Sequence, residues 1–132
     1  MSFYRARVGV VKIKQEFIQE MEYLFREEYD KITDKEFKKF ISYYKKDLIK
    51  KPIRKWTHNN AKGEWLGKYK TSFENGILTF GVYYNSSGGN MKWYVDAFED
   101  IVFGYIAEEE LVDEYWDEDD LWKKDNTLKN IE

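Results

Sequence analysis

Between Thr33 and Pro52 the chain permits little but helix. Phe37, Phe40, Ile41, Tyr44 and Leu48 stand at i, i+3, i+4, i+7 and i+11, the spacing that gathers side chains on one face of a 3.6-residue period. Lys38, Lys39, Lys45 and Lys46 fall on the other faces. Thr33-Asp34-Lys35-Glu36 reads as a capping box, in which the hydroxyl takes a free N–H of the first turn and Glu36 reaches back. Lys50 and Lys51 suit the negative end of the helix dipole. Pro52, the one proline of the chain, ends the helix, since it has no N–H and disfavours helical backbone at Lys51.

The second constraint is Asn75-Gly76. It sits between two strand-like runs, 64–73 and 77–84. Asn-Gly tolerates the positive φ angles of a tight hairpin turn, so the two runs are expected to pair. One capped helix and one hairpin already imply a mixed fold.

The remaining segments extend it. Residues 3–14 read as a strand whose apolar parity inverts after Gly9, which a one-residue bulge at Gly9 or Val10 would repair. Residues 15–29 carry Phe17, Met21, Leu24 and Phe25 on one helical face. Residues 53–58 read as a short strand and 59–63 as a turn. After the loop at 85–90, where Asn90 is a good N-cap, helical spacing runs from Met91 to Ile106. Residues 107–122 fit either a strand or a helical face, and Val112, Tyr115 and Trp116 favour the strand.

The order is β-α-α-β-β-β-α-β. It predicts an α+β fold of two layers, with a mostly antiparallel sheet of about five strands and two or three helices on one face. The other sheet face is then wet or open to a partner. A length of 132 residues fits one compact domain, assigned to 1–122, with 123–132 as a flexible tail.

Composition removes whole classes of chemistry. With no Cys there is no disulfide, thiolate metal site or cysteine nucleophile, and with one His there is no histidine cluster. No apolar run is long enough to span a membrane, and the N-terminus carries no apolar signal region. A cytoplasmic protein is expected, with no cofactor and no bound metal. His58 lies between Thr57 and Asn59 with no motif around it, so a surface hydrogen-bonding role is expected of it. Nucleophile elbows, zinc-protease helices and phosphate loops are all missing. Asp117-Glu118-Asp119-Asp120 lacks the glycine of a calcium loop. No catalytic residue is assigned, and the chain reads as a non-enzyme.

Charge is what stands out. Residues 1–72 hold 18 Lys/Arg against 10 Asp/Glu, while 73–132 hold 4 against 15. Acids concentrate at Glu108, Glu109, Glu110, Asp113, Glu114, Asp117, Glu118, Asp119 and Asp120, interleaved with Tyr115 and Trp116. Such a segment repels itself unless a partner, a cation or the basic half offsets it. Its bland reading is a solvated face that aids solubility. Its functional reading is a docking surface for a protein partner with a basic surface, where carboxylates steer association and aromatic rings anchor it.

Two further sites are candidates. Lys45, Lys46, Lys50, Lys51, Arg54 and Lys55 would meet nucleic-acid phosphates, although a pI near 5.4 argues against a dedicated nucleic-acid binder. Ser87, Gly88, Gly89 and Asn90 would cradle an anion or nucleotide where a strand hands over to a helix. The 25 aromatic rings exceed what a core of this size needs, so some belong at a surface.

The sequence thus points to a small interaction protein acting through its acidic, aromatic C-terminal third. An inhibitor, immunity or phage anti-defence factor that mimics nucleic acid would fit, as would the Lys-, Ile- and Asn-rich composition common in AT-rich bacterial or phage coding. The rivals are a small-ligand module built on the 85–90 loop and nucleic-acid binding through 35–55. Homodimerisation through the oppositely charged segments is a further expectation.

Overall fold

The structure is a computed structural model. It describes residues 4–57, 71–85 and 91–117; for 4–6, 85 and 110–117 it gives the backbone path. It is an α+β fold with one antiparallel sheet under a layer of helices.

β1 (Tyr4–Ile13) is followed by α1 (Ile18–Phe25), α2 (Lys35–Tyr43) and α3 (Lys45–Lys50). Then come β2 (Ser72–Glu74), β3 (Ile77–Asn85), α4 (Met91–Ile101) and β4 (Ala107–Asp117). The strands lie in the order β2-β3-β1-β4. The first strand of the chain is therefore central, and among the described residues the last forms an edge. Asn75 and Gly76 take φ angles of 54° and 76°, the left-handed pair that the hairpin needs.

The described sheet has four strands, not about five. Residues 53–57 do not pair. Pro52 is extended and Ile53–Lys55 form a single 3-10 turn, closed by Lys55 N–H to the Pro52 carbonyl at 2.9 Å. The turn plugs Ile53 and Trp56, each 1% exposed, into the core. Burying these two apolar side chains rewards the turn more than a short ladder would. Of the run 64–73, only its end belongs to the described residues.

β1 needs no bulge at Gly9. Its ladder with β3 runs unbroken from Tyr4↔Asn85 to Lys12↔Ile77. The helix-facing residues are Arg7, Gly9, Val11 and Ile13 throughout, so a charged side chain enters the core face. Gly9 is small because Phe80 stands opposite and its ring lies across the gap; a Cβ at Gly9 would come within 2.5 Å of it. The irregularities fall on β4 instead. The β1–β4 register shifts between Val10/Val11 and between Lys12/Ile13, which leaves Leu111 and Glu108 as the extra residues.

The helices differ in detail from the spacing. The stretch 15–29 is one 3-10 turn, then α1, which ends at Phe25. Glu27 follows in a left-handed conformation at φ 62°. Glu28 N–H bonds the Tyr23 carbonyl and Glu27 N–H the Leu24 carbonyl, a closing motif usually built on glycine. The cap of α2 is Asp34, whose carboxylate accepts from Glu36 N and Phe37 N at 2.9 and 3.1 Å. Thr33 donates its hydroxyl to Glu20 at 2.6 Å instead, tying α1 to the start of α2. The run 35–51 breaks at Tyr44, which packs against Phe40 and Tyr94. After α4 the helix widens into a π turn over Val102–Ile106 that buries both end residues and leads into β4.

The core is one cluster of β1 and β3 side chains under Met21, Leu24, Phe37, Phe40, Leu48, Trp56, Tyr94 and Phe98. Trp56 meets Phe80, Tyr94 and Phe98 edge-on, with centroids 5.1–6.0 Å apart. Its indole N–H and the Tyr94 hydroxyl both donate to the Lys51 carbonyl at the end of α3. On the opposite sheet face Val8, Val10 and Tyr83 are buried outside this cluster. The centre of that face is therefore not wet.

Candidate functional site

The acidic run becomes β4 because its β-branched and aromatic residues pair along β1. Glu110 stands opposite Val11, Asp113 opposite Gly9 and Glu114 opposite Val8. Tyr115 stands opposite Arg7, Trp116 opposite Ala6 and Asp117 opposite Arg5. One backbone edge of β4 is thus bonded to β1, and among the described residues no strand meets the other. Glu108 and Glu109 are exposed. Glu108 lies 3.4 Å from Lys12, with both side chains about half exposed, a pair of small net value. Glu118, Asp119 and Asp120 lie outside the described residues.

The basic segment lies elsewhere. Lys45, Lys46, Lys50, Lys51, Arg54 and Lys55 are exposed around α3 and the turn after it. Their one described ion pair joins Arg54 to Glu27 in the turn after α1. The described ion pairs of α2 and α3 do not reach β4. Ser87, Gly88, Gly89, Asn90 and His58 lie outside the described residues.

Three features escaped the sequence reading. The first is a charge cluster at the sheet–helix interface. Arg7 Nη1 lies 2.7 Å from Glu99 Oε1 and 2.5 Å from Asp96 Oδ1, with Arg7 and Glu99 4% and 5% exposed. Its guanidinium also sits 5.4 Å over the Tyr84 ring. Arg7 shares parity with Val11 and Ile13, which is the one sequence signal that marked it.

The second is a cleft of about 560 Å³ between Glu27, Tyr29 and Asp30 on one side and Lys38, Ile41, Ser42 and Lys45 on the other. Burial, with Glu27 nearby, pushes the Tyr29 phenol up to about 12.

The third is a shallow groove of about 260 Å³ between α2 and α4, lined by Phe40, Tyr43, Tyr44, Ala97 and Ile101. Tyr43 is 85% exposed beside it, and Trp93, one turn before Ala97 on α4, is 61% exposed.

Among the described residues no group of three His, Cys, Asp or Glu is placed to hold a metal ion. Nor is any helix among them long and apolar enough to cross a membrane. Comparison of the chain with protein-family models, with curated proteins and with solved structures finds no match.

Proposed function

We propose that this chain is a non-enzymatic interaction protein that docks a macromolecular partner with a basic surface along β4. The observation that carries the reading is the position of β4 in the sheet. An acid-rich strand of 11 residues lies at an edge, with its outer backbone groups met by no strand among the described residues. An open edge accepts an extended segment by main-chain hydrogen bonding. The carboxylates decide which segment. They repel a second copy of the same edge, which guards against edge-to-edge aggregation, and they attract an incoming segment rich in Lys and Arg. Carboxylates along one strand would occupy a basic site on the partner and block it, which is inhibition by occlusion.

The test is salt-sensitive capture of a partner from lysate, followed by amide hydrogen exchange on the complex. The expected result is protection across 107–117, lost when Glu108, Glu109, Glu110, Asp113 and Glu114 are changed to Gln or Asn. A complex that protects other amides and survives this neutralisation rules the reading out. Recovery of nucleic acid, with protection over α2 and α3, moves the site to Lys45, Lys46 and Lys50.

A further inference from the structure

The geometry points to a ligand site in the cleft between the turn after α1 and the face of α2 and α3. The ligand it suits is a monophosphate ester of a polyol, the chemistry that a mononucleotide and a sugar phosphate share. This site goes beyond the β4 reading and does not depend on it.

The cleft measures about 560 Å³, within the range of small-ligand sites. Its two walls carry opposite chemistry. On one, Lys38, Ile41 and Ser42 stand at i, i+3 and i+4 of α2, and Lys45 opens α3 after the break at Tyr44. Glu27, Tyr29 and Asp30 form the other. Among the described residues no ion pair crosses between the walls. Lys38 and Lys45 have no acidic partner there, whereas the neighbouring Lys39 is taken by Glu36. Opposite charges held apart across an open space leave room for a molecule that meets both.

The lining selects the occupant. Glu27 is balanced by Arg54, and Lys31 beside Asp30 is held by Glu28. Two ammonium groups then face one unpaired carboxylate, that of Asp30. This surplus favours an anion at the lysine wall, where two cations and the Ser42 hydroxyl match a phosphate dianion. The acidic wall accepts hydrogen bonds from uncharged hydroxyls, as a carboxylate does from ribose. It repels a second phosphate, which disfavours diphosphates and nucleic-acid strands. Glu27 also holds a left-handed φ of 62°, strain of a kind that collects at ligand sites. Beside it the Tyr29 hydroxyl is enclosed with no hydrogen-bond partner among the described residues, a deficit that native folds rarely keep.

The test is calorimetric titration of the full chain at low salt with adenosine monophosphate, the matching ribose phosphate, adenosine and inorganic phosphate. The expected result is binding of an ester, with adenosine and inorganic phosphate each at least about tenfold weaker. A tighter nucleotide places its base on Ile41 and Tyr29; equal affinities make the sugar phosphate the ligand of the same cleft. Lys38→Gln and Lys45→Gln each weaken the ester at least about fivefold. Asp30→Asn weakens the ester and leaves inorganic phosphate unchanged. Lys46→Gln, on α3 but outside the lining, changes neither. All four side chains are exposed, so thermal unfolding stays unchanged. No binding of either ester up to about 10 mM overturns the proposal. Inorganic phosphate as tight as the esters overturns it too, as does an Asp30→Asn variant with full ester affinity. An equal loss in Lys46→Gln also overturns it, and marks a diffuse positive field in place of a site.

Discussion

Arg7 on the central strand and Glu99 on α4 are 92 residues apart in sequence and 2.7 Å apart in the fold. Both are buried, so neither charge has bulk water to fall back on. Removing one partner leaves the other charged group desolvated. Arg7→Ala is therefore expected to lower stability by about 3–5 kcal/mol, read as a shift in the urea midpoint. Arg7→Met with Glu99→Leu, which removes both charges at similar volume, should recover most of that loss. Equal losses in the single and double variants would show that the pair contributes through packing alone.

Gly9 sits under the Phe80 ring, with Phe103 3.0 Å from where its Cβ would lie. Phe80 is fully buried and cannot swing aside. Gly9→Ala should lower stability by about 1–3 kcal/mol through overpacking. Gly9→Ala combined with Phe80→Leu should be less unstable than the two single losses added together. Strict additivity in denaturation would contradict the proposed contact.

Asp34 serves two elements at once. One carboxylate oxygen caps α2 and the other accepts the Tyr105 hydroxyl at 2.9 Å. That bond to the ionised carboxylate raises the Tyr105 phenol above its ordinary value. Asp34→Ala should lower stability by about 0.5–2 kcal/mol, and more than Thr33→Val does. The reverse ranking in thermal melts would return the cap to Thr33.

Two tyrosines make the fold sensitive to alkali. Burial pushes Tyr29 from 10.0 to about 12 and raises Tyr94 as well. In the unfolded chain both ionise near 10. Above that pH the unfolded state has lost protons that the folded state keeps. The contribution is therefore complete below pH 10 and is lost as pH rises through the folded value of about 12. Phenolate absorbance should show a late-titrating pair that ionises as far-UV ellipticity collapses. All eleven tyrosines titrating together near 10 in an intact fold would refute this.

What the sequence determined by itself is local. The apolar stripe from Phe37 to Leu48, the stop at Pro52, the Asn75-Gly76 turn and the helix from Met91 depend on neighbours within a turn or two. Their periodicity and backbone preferences act before any tertiary contact forms, and they were enough for the α+β class. The strand over 107–117 was nearer the margin, since its alternation also fits a helix, and pairing with β1 settled it. Contacts between distant residues were decided by the tertiary structure alone. Arg7 alternates with Ala6 and Val8 in the sequence, and nothing local marks its burial, because its partners Asp96 and Glu99 lie on a helix far along the chain. Gly9 looked like a bulge because Phe80 fills its gap from another strand. Ile53 and Trp56 looked like strand residues because the core they plug is built by other elements. The placing of 107–117 on the outer strand of the described sheet follows from strand order, and strand order is set by which faces bury together.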